Sequence, residues 1–149
     1  MDRLYNNEAL LSCTIMKMLS FGGMDYARLS LSVPLVVDDG LRETLCHCHS
    51  DREAFIAEVR NNTMLLLNRK YLDYQPTILN SLVILAQGNL LDYDNGMLSL
   101  HGSHIDFLES FNTINSDRLH DICSSISELI GMFSETTNEE LFSLLNIEL

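Results

Sequence analysis

Pro76-Thr77-Ile78-Leu79-Asn80-Ser81-Leu82-Val83-Ile84-Leu85-Ala86-Gln87-Gly88 runs directly into Asn89-Leu90-Leu91-Asp92-Tyr93-Asp94-Asn95-Gly96-Met97-Leu98-Ser99-Leu100. The first half has the pattern of a helix. A proline stands at its first position, where a missing backbone donor costs nothing. Apolar residues Ile78, Leu79, Leu82, Val83, Leu85 and Ala86 follow, and Gly88 closes it. The second half is a hairpin, because Asn95-Gly96 is the residue pair that tolerates the positive φ angles of a two-residue turn. With that turn, Tyr93 faces Leu98 and Leu91 faces Leu100 on one side, while Asp92 and Ser99 pair on the other. The register is consistent throughout.

Working upstream, Ser50 followed by Glu53 matches a capping box, and the helix behind it presents Phe55, Ile56 and Val59. Asn61-Asn62 interrupts it before Met64, Leu65, Leu67, Tyr71 and Leu72 resume helical spacing. Helix, turn, a helix entered at Pro76 and then a tight hairpin is the order of a winged helix. In its DNA-binding form, the second helix lies in the major groove and needs side chains that reach bases and phosphates. From Thr77 to Gln87 there is no Lys or Arg, and the hairpin carries Asp92 and Asp94. A winged helix of this composition is expected to contact protein. The competing reading is that helix and hairpin simply close the core.

Further upstream, Asn6 and Asn7 can cap a helix running to about Ser20. Its apolar residues (Ala9, Leu10, Leu11, Cys13, Ile15, Met16, Met18, Leu19) cover most of the circumference, which predicts burial on several sides. Gly22-Gly23 stops it. Tyr26 to Val37 is read as a helix kinked or restarted at Pro34, with a strand over Leu35-Val36-Val37 as the alternative. Asp38-Asp39-Gly40 starts a short helix bearing Leu41 and Leu45. Downstream, Leu119, Ile122, Cys123, Ile126, Leu129, Ile130 and Phe133 follow the i, i+3, i+4, i+7 rule behind a Ser116 cap. Thr136 to Glu140 then offers overlapping capping boxes for a last helix.

These elements predict a mainly α, single-domain helical bundle with a winged-helix-like segment and one small antiparallel β-hairpin at about 90–100. One domain spans 1–149, as N-terminal helices 6–48, a winged-helix-like core 51–100 and C-terminal helices 116–147. The length suits one hydrophobic core, and with two prolines in the chain nothing resembles a linker.

Nine Lys plus Arg stand against 21 Asp plus Glu, a formal net charge of −12. Phosphate contacts supply most of the affinity of a nucleic-acid binder. With its cations scattered and only Arg69-Lys70 adjacent, the chain is expected to bind neither nucleic acid on its own nor an anionic membrane surface. A basic protein partner fits this field better. No secretory signal or apolar run of spanning length is visible, which predicts a reduced, cytoplasmic protein.

No constellation of catalytic residues emerges. Cys46-His47-Cys48-His49, with His101 and His104, has the atoms zinc prefers, but its C-x-C and H-x-x-H spacings fit structural zinc sites poorly. Surface histidines beside partly buried cysteines are the better account. Cys48 has histidine neighbours in sequence, but nothing that would orient a base. Gly22-Gly23 is not followed by Lys-Ser/Thr, so no nucleotide site is indicated. Asp38-Asp39 and Glu139-Glu140 stand at helix starts, where capping and the helix dipole explain them. No enzyme activity, metal or cofactor is expected.

Taken in order, the segments resemble a known family. Leu4-Tyr5-Asn6-Asn7-Glu8-Ala9-Leu10, Val33-Pro34-Leu35-Val36-Val37 with Arg42, then Arg69, Pro76-Thr77, the helix to Gly88 and Leu90-Leu91 carry the likeness. It closes on Glu128-Leu129-Ile130-Gly131-Met132-Phe133-Ser134 and Leu144-Leu145-Asn146-Ile147. The chain is similar, over essentially its whole length, to the middle component of ABC-three-component systems. It departs at Asp38-Asp39-Gly40, where the family often has a basic or proline-containing stretch, and at Met132, where an aromatic is common. These systems include the Lamassu type of anti-phage and anti-plasmid defence. The resemblance implies a non-catalytic adaptor bridging an SMC- or RecN-like ATPase and a nuclease-type effector, restraining the effector until foreign DNA is sensed. DNA would be contacted only through the complex. The alternative from another class is a winged-helix DNA-binding regulator. Tyr5, Asn6, Asn7, Val33, Pro34, Leu35, Leu141, Phe142, Leu144 and Leu145 are the candidate partner contacts, with core packing as the stronger competing role for each.

Overall fold

The computed structural model describes residues 2–102 and 116–148; of 2–7 it describes the backbone alone. The described residues form seven helices and a three-stranded antiparallel sheet. The order is α1 (Asp2–Leu19), β1 (Met24–Asp25), α2 (Tyr26–Val37), α3 (Asp39–His47), α4 (Arg52–Asn61), α5 (Leu67–Gln87), β2 (Leu91–Asp94), β3 (Met97–Leu100), α6 (Asp117–Phe133) and α7 (Asn138–Leu144). The mainly α expectation holds.

The hairpin has the predicted register: Leu91 opposite Leu100, Asp92 opposite Ser99 and Tyr93 opposite Leu98. Asn95 (φ 51°) and Gly96 (φ 79°) take the two left-handed positions of the turn. A third strand, β1, was not foreseen. It pairs Met24 with Leu98 and Asp25 with Met97, placing β3 in the centre. Two residues are too short a strand to show alternation in a sequence. Gly23 permits the approach, since a Cβ there would lie 3.1 Å from the Leu98 carbonyl oxygen.

Four local expectations are corrected. The first helix starts at Asp2, so Asn6 and Asn7 lie within it and do not cap it. Asparagine costs well under 1 kcal/mol inside a helix, too little to fix a boundary. The cap of α4 is Asp51, whose Oδ1 accepts from the Ala54 amide at 3.1 Å. Ser50, at φ 65°, instead donates its amide to Glu128 Oε1 at 3.0 Å. Of the kink or restart expected at Pro34, the restart is absent: α2 is continuous from Tyr26 to Val37 with the proline inside, so the helix reading holds over the strand alternative. Likewise, the two helices expected on either side of Asp73 are one, and Pro76 lies in the interior of α5. Both Leu72 and Pro76 are exposed, so water can donate to the Leu72 carbonyl in place of the ring. In the same turn, Gln75 Nε2 donates to the Tyr71 carbonyl at 3.0 Å.

Helix α2 lies at the centre: every residue from Leu29 to Val37 is buried. Leu11, Ile15, Met16, Met18 and Leu19 of α1 pack into the same core, as do Phe55, Ile78, Ile122, Ile126 and Leu141 from other helices. The expected caps at Asp38, Ser116 and Thr137 are formed, the last as a full capping box with Glu140.

Candidate functional site

The cations show how little positive field is left for a polyanion. Arg28 serves as a clamp: its Nε donates to Asn138 Oδ1 at 2.8 Å, Nη1 to the Phe133 carbonyl at 3.2 Å and Nη2 to the Thr136 carbonyl. The Phe133 carbonyl ends α6, where a cation meets the negative pole of the helix, and Thr136 lies in the turn before α7. Burial lowers the Arg28 pKa, with Asp25 acting in opposition. Arg42 does the same at the end of α2, donating to the Val36 and Val37 carbonyls at 3.0 and 3.1 Å. Lys70 Nζ holds Asp38 at 2.8 Å, and Arg118 lies 3.8 Å from Asp39. Arg52 donates to Thr136 Oγ1 at 2.7 Å. These residues tie helices together.

The Cys-His cluster lies at the end of α3 and in the turn after it. Cys46, His47 and His49 are exposed and Cys48 is half-buried. Burial raises the pKa of Cys46, and the carboxylates of Glu128, Asp121 and Glu43 add to it. Burial followed by Glu58, Asp51 and Glu128 raises that of Cys48. A thiol kept protonated is a poor nucleophile and a poor metal ligand. No three His, Cys, Asp or Glu side chains converge as a metal site among the described residues; His104 lies outside them.

A cavity of about 350 Å³ opens between β1, α2, α6 and α7, lined by Met24, Arg28, Ser32, Leu35, Phe133 and Asn138 among others. Its polar wall is closed on itself. Asn138 Nδ2 donates to Asp25 Oδ2 at 2.7 Å, and Asp25 Oδ1 accepts from the Arg28 amide at 2.8 Å while capping α2.

The partner-contact candidates sit as follows. Val33, Pro34 and Leu35 are buried in α2, and Leu141 and Leu145 are buried at the C-terminal end. Phe142 and Leu144 are half-buried against the core, with the Phe142 ring edge-on to Tyr71 at 5.8 Å. The side chains of Tyr5, Asn6 and Asn7 lie outside the described residues.

Among the exposed apolar side chains, which include Phe21, Met64 and Tyr93, one aligned set lies on α5. Leu72, Leu79 and Val83 are 52%, 50% and 54% exposed, and Pro76 between them is exposed too. Their spacing, i, i+4, i+7, i+11, makes one stripe about 16 Å long on the side away from buried Tyr71, Ile78 and Leu85. No charged residue interrupts it from Thr77 to Gln87. A helix starting at Pro76 would leave Leu72 on a separate element; the stripe exists because α5 is continuous through the proline. At the C-terminal end, the hairpin presents exposed Asp92 and Asp94, with Asp92 Oδ1 2.9 Å from His101 Nδ1.

No family model, curated protein or solved structure matches the chain. Among the described residues, no helix is long and apolar enough to cross a membrane.

Proposed function

We propose that this protein is a non-catalytic adaptor subunit of a defence complex. It bridges an SMC- or RecN-like ATPase and a nuclease-type effector and helps restrain the effector until foreign DNA is sensed. The observation that carries the holding role is the α5 face: apolar, uncharged and exposed, in a chain of net charge −12 whose basic side chains largely secure its own helices. Its partners' identities rest on the resemblance to ABC-three-component middle components, carried by segments such as Val33-Pro34-Leu35-Val36-Val37 and Leu144-Leu145-Asn146-Ile147.

Co-expression with the ATPase-class and effector proteins encoded beside it tests the reading. A stoichiometric complex that survives gel filtration is expected, with lower nuclease activity than the effector alone. Recovery of the chain without an ATPase-class partner would overturn it. The hairpin behind a long helix keeps the DNA-binding regulator as a second reading. A gel shift of the isolated chain at moderate salt separates the two, and tight binding would favour the regulator.

A further inference from the structure

We propose that the Leu72-Pro76-Leu79-Val83 stripe of α5 is a docking surface for an amphipathic helix of a partner protein, one whose apolar face is bordered by Lys and Arg. The inference rests on the adaptor reading for what the partner does, and on the stripe and its surroundings for what the partner looks like. A ridge of apolar side chains along three turns matches the groove of a second helix better than an irregular segment. Exposed Leu and Val side chains in line are unfavourable in water, and covering them is favourable.

Charge selects the occupant. The C-terminal end of α5 is the negative pole of its dipole, and the hairpin that follows adds exposed Asp94, with Asp92 beside it already in contact with His101. At the other end Arg69 and Asp73, 3.8 Å apart, offset each other. The cationic residues of the partner therefore gather at the end lying over Gln87 and the hairpin. A second copy of the chain would bring another −12 charge to the same place. An anionic membrane would be repelled, and a phosphate backbone would find no cation between Thr77 and Gln87.

Two synthetic helical peptides about five turns long, with the same leucine stripe and either Lys/Arg or Glu at the polar positions, provide the probe. Binding to the full chain is read by fluorescence anisotropy. The cationic peptide is expected to bind and the glutamate peptide not. L79D and V83D should each weaken the cationic peptide about tenfold or more, and D94N about threefold with a shallower salt dependence. L79D adds a negative charge, so charge attraction alone would strengthen binding; only an apolar stripe contact predicts loss. Circular dichroism checks that each variant stays folded, which the half-exposed positions favour.

Unchanged or tighter binding by L79D would overturn the proposal. So would concentration-dependent dimerisation abolished by L79D, which would make a second copy the occupant, or binding to anionic vesicles that depends on Leu79. If the complex with ATPase and effector assembles equally well with L79D, the stripe proposal falls and the adaptor reading stands. If no complex forms while the peptide results hold, the adaptor reading falls and the stripe stands.

Discussion

Helices α2 and α5 each carry a proline in their interior, and the chain uses them in opposite ways. In α2 burial is complete from Leu29 to Val37, and its end is held by Arg42 donating to the Val36 and Val37 carbonyls. In α5 only one side is buried, through Tyr71, Ile78, Ser81 and Leu85, while Leu72, Pro76, Leu79 and Val83 face outward. A helix apolar all round belongs in a core, and α2 obeys that rule. Apolar residues on both sides of a helix that is packed on one side alone are what a contact surface requires.

The largest effect should come from truncating the buried helix. Leu31→Ala removes a side chain with no exposed surface, surrounded by α2's neighbours on all sides. A loss of about 3 kcal/mol is expected in denaturant unfolding. A loss below about 1 kcal/mol would show that α2 is not the packed centre.

Next in size is the clamp after α2. Asp38 Oδ2 accepts from the Leu41 amide at 3.0 Å and from Lys70 Nζ at 2.8 Å, joining the start of α3 to α5. Asp38→Ala removes a helix cap and leaves a partly buried ammonium without its carboxylate, a cost of about 2 kcal/mol. Asp38→Asn keeps an oxygen for the cap and should recover roughly half of that. Equal losses in both variants would assign the whole effect to the ion pair.

These two helices also mark where sequence reasoning works. Burial of α1 on several sides, the hairpin register and the caps at Asp38, Ser116 and Thr137 are local or periodic features, and all were legible. The start of α1, the Asp51 cap and the continuity of α5 were not, because Asn, Ser and Pro only bias a helix boundary and tertiary packing decides it. Strand β1 exists only through pairing with β3, far away in sequence. The raised Cys46 pKa comes first from burial and then from carboxylates such as Glu128 and Asp121 of α6, which no linear motif brings near. The α5 stripe was in principle visible as Leu72-Pro76-Leu79-Val83 spacing. Seeing it required accepting a proline inside a helix.

The prolines give a smaller, opposite pair of effects. Pro76 is exposed and leaves the Leu72 carbonyl without its helical donor. Pro76→Ala restores that donor, and part of the gain is returned because the unfolded chain becomes more flexible. A net stabilisation of about 1 kcal/mol is expected. At Pro34 the ring itself is packed in the core, so Pro34→Ala loses contacts as it regains the hydrogen bond and is expected to gain nothing. If Pro34→Ala stabilised more than Pro76→Ala, the two prolines would not differ in the way their surroundings indicate.

The smallest effect on stability is expected where the largest effect on binding is sought. Leu79→Gln and Val83→Gln replace half-exposed apolar side chains by a good helix former of polar character. Each should shift unfolding free energy by no more than about 0.5 kcal/mol. If either cost as much as Leu31→Ala, the stripe would be part of this chain's own core and unavailable to a partner. A near-zero shift, together with loss of the cationic peptide, would separate the outward face of α5 from its packing role. It would also account for an apolar face that folding alone does not use.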